Sequence, residues 1–240
     1  MYGWRARLGI MIPSVNSVVE SELAYLASLV PGVSCHFSRM IMRGETKVEQ
    51  LESMSESIDT CVESLLDVSD IFLYACTSGS FLKGVTWDTT VTERIQDVAC
   101  GKQAITTSNA LVKALRELKA KTIALATPYI NEVNERQINY FREVGIEVVA
   151  ASGLSMAQRG GSGLCNPNEA YTLGRQVAQG QPIDALVLSC TNFRTLEVIS
   201  VLESDLGAPV ITSNQALFWA GIRNAGIGSS IHGFGQLLEI

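Results

Sequence analysis

An internal duplication constrains the fold of this chain more than any other feature of its sequence. The run from Asp70 to Ser78 reads Asp, apolar strand, Cys, Thr and a small polar residue, and the run from Asp184 to Asn192 repeats that order 114 positions later. Pro128, in a Thr-Pro-Tyr-Ile-Asn context, likewise follows Pro13 by 115 positions, and a third pair of segments near the end of each half has an offset of about 106. Ordered matches at similar offsets predict two similar halves related by a pseudo-two-fold axis.

Short apolar runs alternate with stretches of helical spacing along the whole chain. The predicted strands are 8–12, 33–40, 71–75, 103–106, 122–126, 147–150, 185–188 and 210–212. The predicted helices are 17–29, 48–66, a stretch closing at 95–99, 109–118, 131–144, 168–179, 195–205 and 216–224. Continuous apolar strands separated by helices are typical of parallel sheets covered on both faces.

We therefore predict an α/β fold of two similar lobes, each a parallel sheet flanked by helices, with the active site between them. The predicted lobes are residues 1–118 and 119–240, and we expect the C-terminal tail to cross back onto the first lobe. In open α/β sheets, ligands bind outside the carboxyl ends of the strands. The cleft between the lobes is therefore the predicted site.

Composition excludes several classes of protein. Of the 240 residues, 47% are hydrophobic and 18% charged, which rules out a disordered chain and a coiled coil. A net charge of -6 without a basic run argues against nucleic-acid binding. The longest apolar stretches fall far short of the roughly 20 residues that span a bilayer, and the N-terminal segment lacks the features of a secretory signal. We expect a cytoplasmic protein.

Six cysteines and two histidines are present, without any CxxC pair, so neither a disulfide framework nor a structural zinc site is predicted. Cys76 and Cys190 differ from the others, because each ends an apolar strand of the duplication and is followed by threonine. If the lobes face one another, the two thiols face one another across the cleft, near loop amides that can hold a carboxylate or enolate oxygen.

The remaining candidate residues have structural interpretations. Cys35, Cys61 and Cys100 are expected to be ordinary structural cysteines. Cys165 lies in a glycine-rich loop, 160–167, that we expect to be a mobile flap over the cleft.

Three hydroxyl residues after predicted strands have the sequence context of helix caps: Thr107, Ser108 and Ser213. The two histidines offer no base for a Cys-His hydrolase, since His36 alternates along a strand and His232 lies in a Gly/Ser-rich tail.

Taken together, these motifs resemble the aspartate/glutamate racemase superfamily, and within it the branch of maleate cis-trans isomerases and arylmalonate decarboxylases. The resemblance covers residues 8 to 226. The residues that carry it are Pro13–Asn16 with Glu20 and Glu22, Tyr74–Ser78, Ala126–Tyr129, Asn166 before Pro167, and Ser189–Asn192.

The resemblance implies chemistry next to a carboxylate, without a cofactor or a metal. By similarity, Cys76 would attack C2 of maleate, or of a substituted maleate, and Cys190 would act as general acid and base, so that rotation about the former double bond yields fumarate. The resemblance further implies that Asn16, Tyr129 and Asn166 bind the carboxylates. Loop amides around Thr77, Ser78, Thr191 and Asn192 would stabilise the enediolate. Such chemistry requires a reactive thiolate, so we expect a lowered thiol pKa. The family also suggests a homodimer.

The sequence departs from the isomerase pattern at two places. Thr77-Ser78-Gly79-Ser80 after Cys76 is closer to the oxyanion loop of the decarboxylase than to the apolar run of typical isomerases, and Thr191-Asn192-Phe193-Arg194 is also atypical. The decarboxylase, however, has glycine at the position of Cys76, so the presence of both thiols favours two-thiol chemistry.

Three alternatives therefore stay open at this point. They are a two-base racemase acting on an amino acid or a hydantoin-like ring, an arylmalonate-type decarboxylase, and a two-lobe protein that binds a small acid without turnover.

Overall fold

Two parallel four-stranded sheets form the framework of the protein. The structure is a computed structural model that describes residues 2–44 and 48–240. The strands of the first sheet are β1 (Ala6–Pro13), β2 (Val33–Met40), β3 (Ile71–Tyr74) and β4 (Ala104–Thr106). Those of the second are β5 (Thr122–Thr127), β6 (Glu147–Gly153), β7 (Ala185–Leu188) and β8 (Val210–Thr212). The orders, β2-β1-β3-β4 and β6-β5-β7-β8, are equivalent, which confirms the predicted fold class.

The central strands are buried on both faces, as their unbroken apolar sequences require. Every residue of β3 and of β7 is buried, and each strand pairs in parallel with a neighbour on either side. The duplicated aspartates fix the start of these strands. The Asp70 carboxylate accepts the N–H of Arg7 at 2.9 Å, and the Asp184 carboxylate accepts the N–H groups of Lys121 and Thr122 at 2.8 Å. The aspartate of each repeat thus aligns the beginning of one strand with the strand beside it.

Ten helices connect and cover the strands of the described residues. They are α1 (Val19–Ser28), α2 (Val48–Met54), α3 (Ile58–Leu65), α4 (Thr77–Ser80), α5 (Val85–Val98), α6 (Thr107–Glu117), α7 (Asn131–Glu143), α8 (Pro167–Ala178), α9 (Ile199–Leu206) and α10 (Ser213–Asn224). The single helix predicted over 48–66 is instead α2 and α3 joined by a 3-10 turn at Ser55–Ser57. Among the described residues, no helix combines the length and apolar content needed to cross a bilayer.

The prediction of caps at Thr107, Ser108 and Ser213 is wrong by one or two positions. The capping side chains are those of Thr106 and Thr212, the last residues of β4 and β8, which accept the N–H groups of Asn109 and Gln215. Each helix therefore begins directly at the end of its strand. The three hydroxyl residues are buried and bond to other elements: Thr107 donates to Tyr74 O, Ser108 bonds to Ser80, and Ser213 accepts from Thr77.

Helices α6 and α10 join the two halves of the molecule. They pack against each other, α6 also contacts β8, and α10 lies across β3 and β4. Gly221 permits this approach, because a Cβ there would lie only 3.1 Å from the Leu73 side chain. One continuous apolar core spans both sheets. In the tail, the Phe234 ring stands edge-on to Tyr25 of α1, with ring centroids 5.8 Å apart. The lobe boundary at residues 118 and 119 stays a prediction, since these helices are shared between the halves.

Candidate active site

A cavity between the sheets brings together most of the residues singled out in the sequence. It lies at the carboxyl ends of β3 and β7, which is the position expected for a ligand in an open α/β sheet. The predicted site residues that line it are Asn16, Cys76, Thr77, Ser78, Tyr129, Cys190, Thr191 and Asn192. Both thiols therefore face the same small space.

Cys76 lies where β3 ends and the short helix α4 begins. Its sulfur lies 3.8 Å from the Ser78 hydroxyl, and the nearby Gly79 N–H also favours its thiolate. Position 79 has room only for glycine, because a Cβ there would lie 2.6 Å from the Tyr74 hydroxyl and 3.0 Å from the Cys76 sulfur. Burial raises the pKa of the Cys76 thiol to about 12, and the hydrogen bonds from Gly79 and Ser78 oppose that rise.

Cys190 occupies the equivalent place after β7. Its sulfur accepts the N–H of Asn192 at 3.3 Å, and the nearby hydroxyls of Tyr129 and Ser162 also favour its thiolate. Burial raises the pKa of this thiol as well, although these donors oppose the change. The sequence led us to expect a lowered thiol pKa, and the structure corrects that expectation. The physical reason is that both sulfurs lie in an enclosed site, where removal from water disfavours the thiolate.

Asn16 links the two halves of the site. Its carbonyl oxygen accepts the N–H groups of Val18 and Val19 at 2.9 and 3.0 Å, at the start of α1. Its amide donates to the Thr191 hydroxyl at 3.1 Å, and that hydroxyl donates to Ala75 O at 3.0 Å. Because Ala75 and Thr191 each adjoin a cysteine, this chain of bonds fixes the two cysteine loops relative to each other.

Tyr129 and Asn192 complete the polar part of the lining. The ring of Tyr129 packs edge-on against Phe81, with centroids 6.2 Å apart, and burial raises the pKa of its hydroxyl so that it stays protonated as a donor. Asn192 accepts the Ser17 N–H at 2.9 Å and donates to the Ser162 hydroxyl at 3.1 Å. The loop after β7 is thereby held by the segment before α1 on one side and by the glycine-rich loop on the other.

Asn166 is not among the residues that line this cavity, and its predicted role in binding a substrate carboxylate stays a prediction. It is exposed and serves as the N-cap of α8, where its side chain accepts the Glu169 N–H at 3.2 Å. In return, Glu169 accepts the Asn166 N–H at 2.8 Å. This reciprocal capping box, with Pro167 as the first helical residue, uses the side chain of Asn166 within the helix end.

The glycine-rich loop forms one wall of the cavity through Gly160 and Ser162. Cys165 at its end is buried, with its sulfur 3.2 Å from the Met156 sulfur, and burial raises its thiol pKa to about 11. Movement of this loop as a flap stays a prediction.

The two histidines lie outside the cavity lining: His36 bonds to the Ser34 hydroxyl at 3.0 Å, and His232 is exposed.

Sequence reasoning missed the apolar wall of the site. Val15, Met42, Leu51 and Met156 also line the cavity. Val15 lies in the Pro13–Asn16 motif, but the other three belong to no motif, so only their spatial proximity identifies them. The described residues that line the cavity include no charged side chain, and a carboxylate bound there would be held by neutral donors. Among the described residues, no three His, Cys, Asp or Glu side chains are grouped so as to hold a metal ion.

Two equivalent parallel sheets with a thiol from each facing one cavity define a two-lobe α/β protein of the aspartate/glutamate racemase type. Comparison with known proteins is specific: residues 8–238 match the family model described as arylmalonate decarboxylase. The chain belongs to the arylmalonate decarboxylase family. The predicted resemblance is confirmed, and with it the prediction of an enzyme of this superfamily.

Maleate isomerases are prominent among the similar proteins. The maleate isomerase of Pseudomonas putida is 29% identical, with 97% of each chain aligned. A cysteine-to-alanine variant of a maleate isomerase from this species, solved with maleate, superposes with a TM-score of 0.92 at 27% identity, covering 98% of this chain and 97% of that one. A cysteine-to-serine mutant of the Nocardia farcinica maleate cis-trans isomerase, with a covalently bound succinylcysteine intermediate, also has a TM-score of 0.92, at 26% identity and 98% coverage of both chains.

Proposed function

We propose that this protein is a maleate cis-trans isomerase in which Cys76 is the nucleophile and Cys190 the general acid and base. The observation that carries the proposal is the placement of both thiols, one from each sheet, in the lining of one cavity. The similarity to maleate isomerases over almost the whole chain supports it, as does the succinylcysteine intermediate in the Nocardia farcinica relative.

The reaction needs one thiolate and one thiol. The Cys76 thiolate adds to C2 of maleate, the double-bond electrons move toward the carboxylate on C3, and the Cys190 thiol delivers its proton to C3. The resulting succinyl adduct has a single bond between C2 and C3 and can rotate. The Cys190 thiolate then removes a proton from C3, the double bond reforms as fumarate, and the Cys76 thiolate leaves. Both thiols return to their starting states, so the cycle balances without another reactant.

Burial has opposite consequences for the two roles, because it favours the thiol that Cys190 needs and disfavours the thiolate that Cys76 needs. A raised thiol pKa keeps Cys190 protonated, as a proton donor to carbon requires. Cys76 must ionise, and the Gly79 N–H and Ser78 hydroxyl are the groups that stabilise its thiolate. Because burial still raises the pKa of Cys76 to about 12, we expect the thiolate to be a minor species in the free enzyme. Rate should therefore increase with pH across the neutral range.

The substrate carboxylates would be held by neutral donors. We assign this role to Asn16, Thr77, Ser78, Tyr129, Thr191 and Asn192, all of which line the cavity. The amides at the start of α4 and in the loop after Cys190 would stabilise the enediolate. Asn166 is omitted from this set because it caps α8 outside the cavity.

Proton NMR in deuterated buffer tests the proposal. Wild-type protein should convert maleate to fumarate, whereas Cys76→Ala and Cys190→Ala should each lose activity by at least about a thousandfold. Cys100→Ala, which alters an exposed thiol absent from the cavity lining, is the matched control and should retain activity. Full activity in either active-site variant, or no conversion by the wild type, would refute the assignment.

Decarboxylation of an arylmalonate is the second candidate, because the family model that matches the chain is that of arylmalonate decarboxylase. The same NMR assay with phenylmalonate distinguishes the two reactions. Loss of carbon dioxide with no conversion of maleate would replace the isomerase by this alternative.

We further propose a cytoplasmic homodimer. The family resemblance supports the dimer, and the six free cysteines are typical of a reducing compartment. Sedimentation equilibrium tests the assembly, and a single species of 25.9 kDa would contradict it.

A further inference from the structure

A buried carboxylate crosses between the halves of the molecule beside the Cys190 loop. Glu22 lies on α1, only 9% exposed, and reaches the segment that follows β7. One carboxylate oxygen accepts the N–H groups of Thr195 and Leu196 at 3.2 and 3.3 Å. The other accepts the amide of Asn214 at 2.6 Å. Glu22 does not line the cavity and so takes no part in the proposed substrate contacts.

A second bond extends this network to the site. The same Asn214 nitrogen donates to the Thr191 carbonyl at 3.1 Å, and Thr191 directly follows Cys190. Glu22 therefore holds the loop at both ends, through backbone N–H groups at its far end and through Asn214 next to the cysteine. Because Asn214 is fully buried, water cannot substitute for either of its partners.

We propose that Glu22 is a positioning residue whose ionised carboxylate fixes the loop from Cys190 to Leu196 so that the Cys190 thiol can exchange a proton with the substrate. The role in proton transfer rests on the proposed isomerase function. The geometric part, control of the loop that carries Cys190, does not depend on the identity of the substrate.

Ionisation of Glu22 determines whether all its bonds can form. A carboxylate is an acceptor only and suits three N–H donors, whereas a protonated carboxyl presents a hydrogen toward one of them. Burial raises the pKa of Glu22 to about 7, and the negative charge of Glu197, in the turn after the loop, acts in the same direction. Asn214, which faces it from α10, is neutral, and Glu20 on its own helix is paired with Arg39 of β2. The network is therefore expected to form as pH rises through 7.

Glu22→Gln mimics the protonated state at every pH. The amide oxygen of the glutamine can accept from Thr195 and Leu196, but its NH2 group faces the NH2 group of Asn214. Glu203→Gln is the matched control, because Glu203 also accepts backbone N–H groups, those of Val210 and Gln236, at 3.0 and 3.1 Å, but lies outside the cavity lining. Both variants replace one partly or fully buried carboxylate by its neutral isostere.

The test compares kcat for maleate from about pH 5.5 to about pH 9 in the wild type and both variants. The ratio of wild type to Glu22→Gln should rise from near unity at the acid end to roughly tenfold at the alkaline end, with its midpoint near 7. The ratio to Glu203→Gln should stay constant. A pH-independent ratio for Glu22→Gln, even if reduced, would mean that Glu22 only stabilises the fold, and would overturn the proposal.

Alkylation of Cys190 in a Cys76→Ala background separates this proposal from the proposed function. Adding Glu22→Gln should change the alkylation rate several-fold at alkaline pH and not at acid pH, whether or not maleate is a substrate. An unchanged alkylation rate at both pH values overturns the inference while leaving the proposed isomerase function intact.

If Glu22→Gln does not fold, Asn214→Ala is assayed instead. It should lower kcat and move the acid limb to higher pH, and an unchanged profile would count against the proposal.

Discussion

At the scale of single residues, burial dominates the chemistry of the site. Both active-site thiols have a raised pKa because the enclosed cavity removes them from water, and the nearby N–H and hydroxyl donors offset only part of that effect. The duplicated Cys-Thr motif predicts which two thiols line the cavity, and their catalytic roles remain a proposal. Their ionisation could not be predicted, because it depends on an apolar wall whose members are scattered along the sequence.

The raised pKa of Cys76 has a measurable consequence. In Cys190→Ala protein, the rate of Cys76 alkylation by iodoacetamide should increase about tenfold per pH unit from about pH 7 to about pH 9 without reaching a plateau. The reason is that the thiolate fraction grows in proportion to hydroxide as long as pH stays below the pKa of the thiol. The Cys76→Ala, Cys190→Ala double variant supplies the background rate. A plateau near neutral pH would show that the thiol pKa is lowered instead.

Gly79 is the second residue whose role can be tested directly. Gly79→Ala places a methyl group against the Tyr74 hydroxyl and the Cys76 sulfur, so the nucleophile must move. We expect kcat for maleate to fall roughly 10- to 100-fold, as misplaced catalytic groups commonly produce. Gly228→Ala is the matched control, because a Cβ at that position meets nothing within 4 Å. Equal activity of the two variants would contradict the proposed contact.

At the scale of elements, the sequence predicted the order and type of most strands and helices, because unbroken apolar runs and helical spacing are distinct patterns. The predicted starts of α6 and α10 are wrong, since Thr106 and Thr212 serve both as the last strand residue and as the helix cap. Asn166 illustrates the opposite case. The run Asn166-Pro167-Asn168-Glu169 carries a capping-box signal, so the start of α8 can be predicted from the sequence.

The cap of α10 should contribute to stability. Thr212→Ala removes the side-chain acceptor of the Gln215 N–H, and we expect the free energy of unfolding to fall by about 1–2 kcal/mol. Urea denaturation followed by circular dichroism measures the change. Thr89→Ala, at an exposed threonine inside α5, is the comparison variant. A Thr212→Ala protein as stable as this control would mean that the cap does not support the helix.

At the scale of the whole molecule, buried carboxyl groups link stability to pH. Burial raises the pKa of Glu22, of Asp88 and of Glu203, so each binds its proton more tightly in the folded chain than in the unfolded chain. Their contribution to stability is therefore present below the unfolded pKa and is lost as pH rises through the folded value. For Glu22 that interval runs from 4.5 to about 7.

Thermal unfolding tests this linkage. The Tm of the wild type should fall as pH rises from about 5 to about 8, with Glu22 accounting for up to roughly 3 kcal/mol of the loss. Glu22→Gln cannot ionise, so its Tm should fall less over the same range. Parallel curves for the two proteins would show that Glu22 does not titrate in this interval. The proposed activity thus requires ionised Glu22, although the protonated form of Glu22 contributes more to the stability of the fold.

The central claim is that Cys76 forms a covalent bond to the substrate while Cys190 donates and removes the proton. Intact-mass spectrometry of Cys190→Ser protein incubated with maleate tests it most directly, because the adduct should accumulate when its breakdown is slowed. We predict a single mass increase equal to one maleate, mapped by peptide sequencing to Cys76 and absent from Cys76→Ala, Cys190→Ser protein. An unmodified Cys76, or an adduct on another cysteine such as Cys165, would contradict the account.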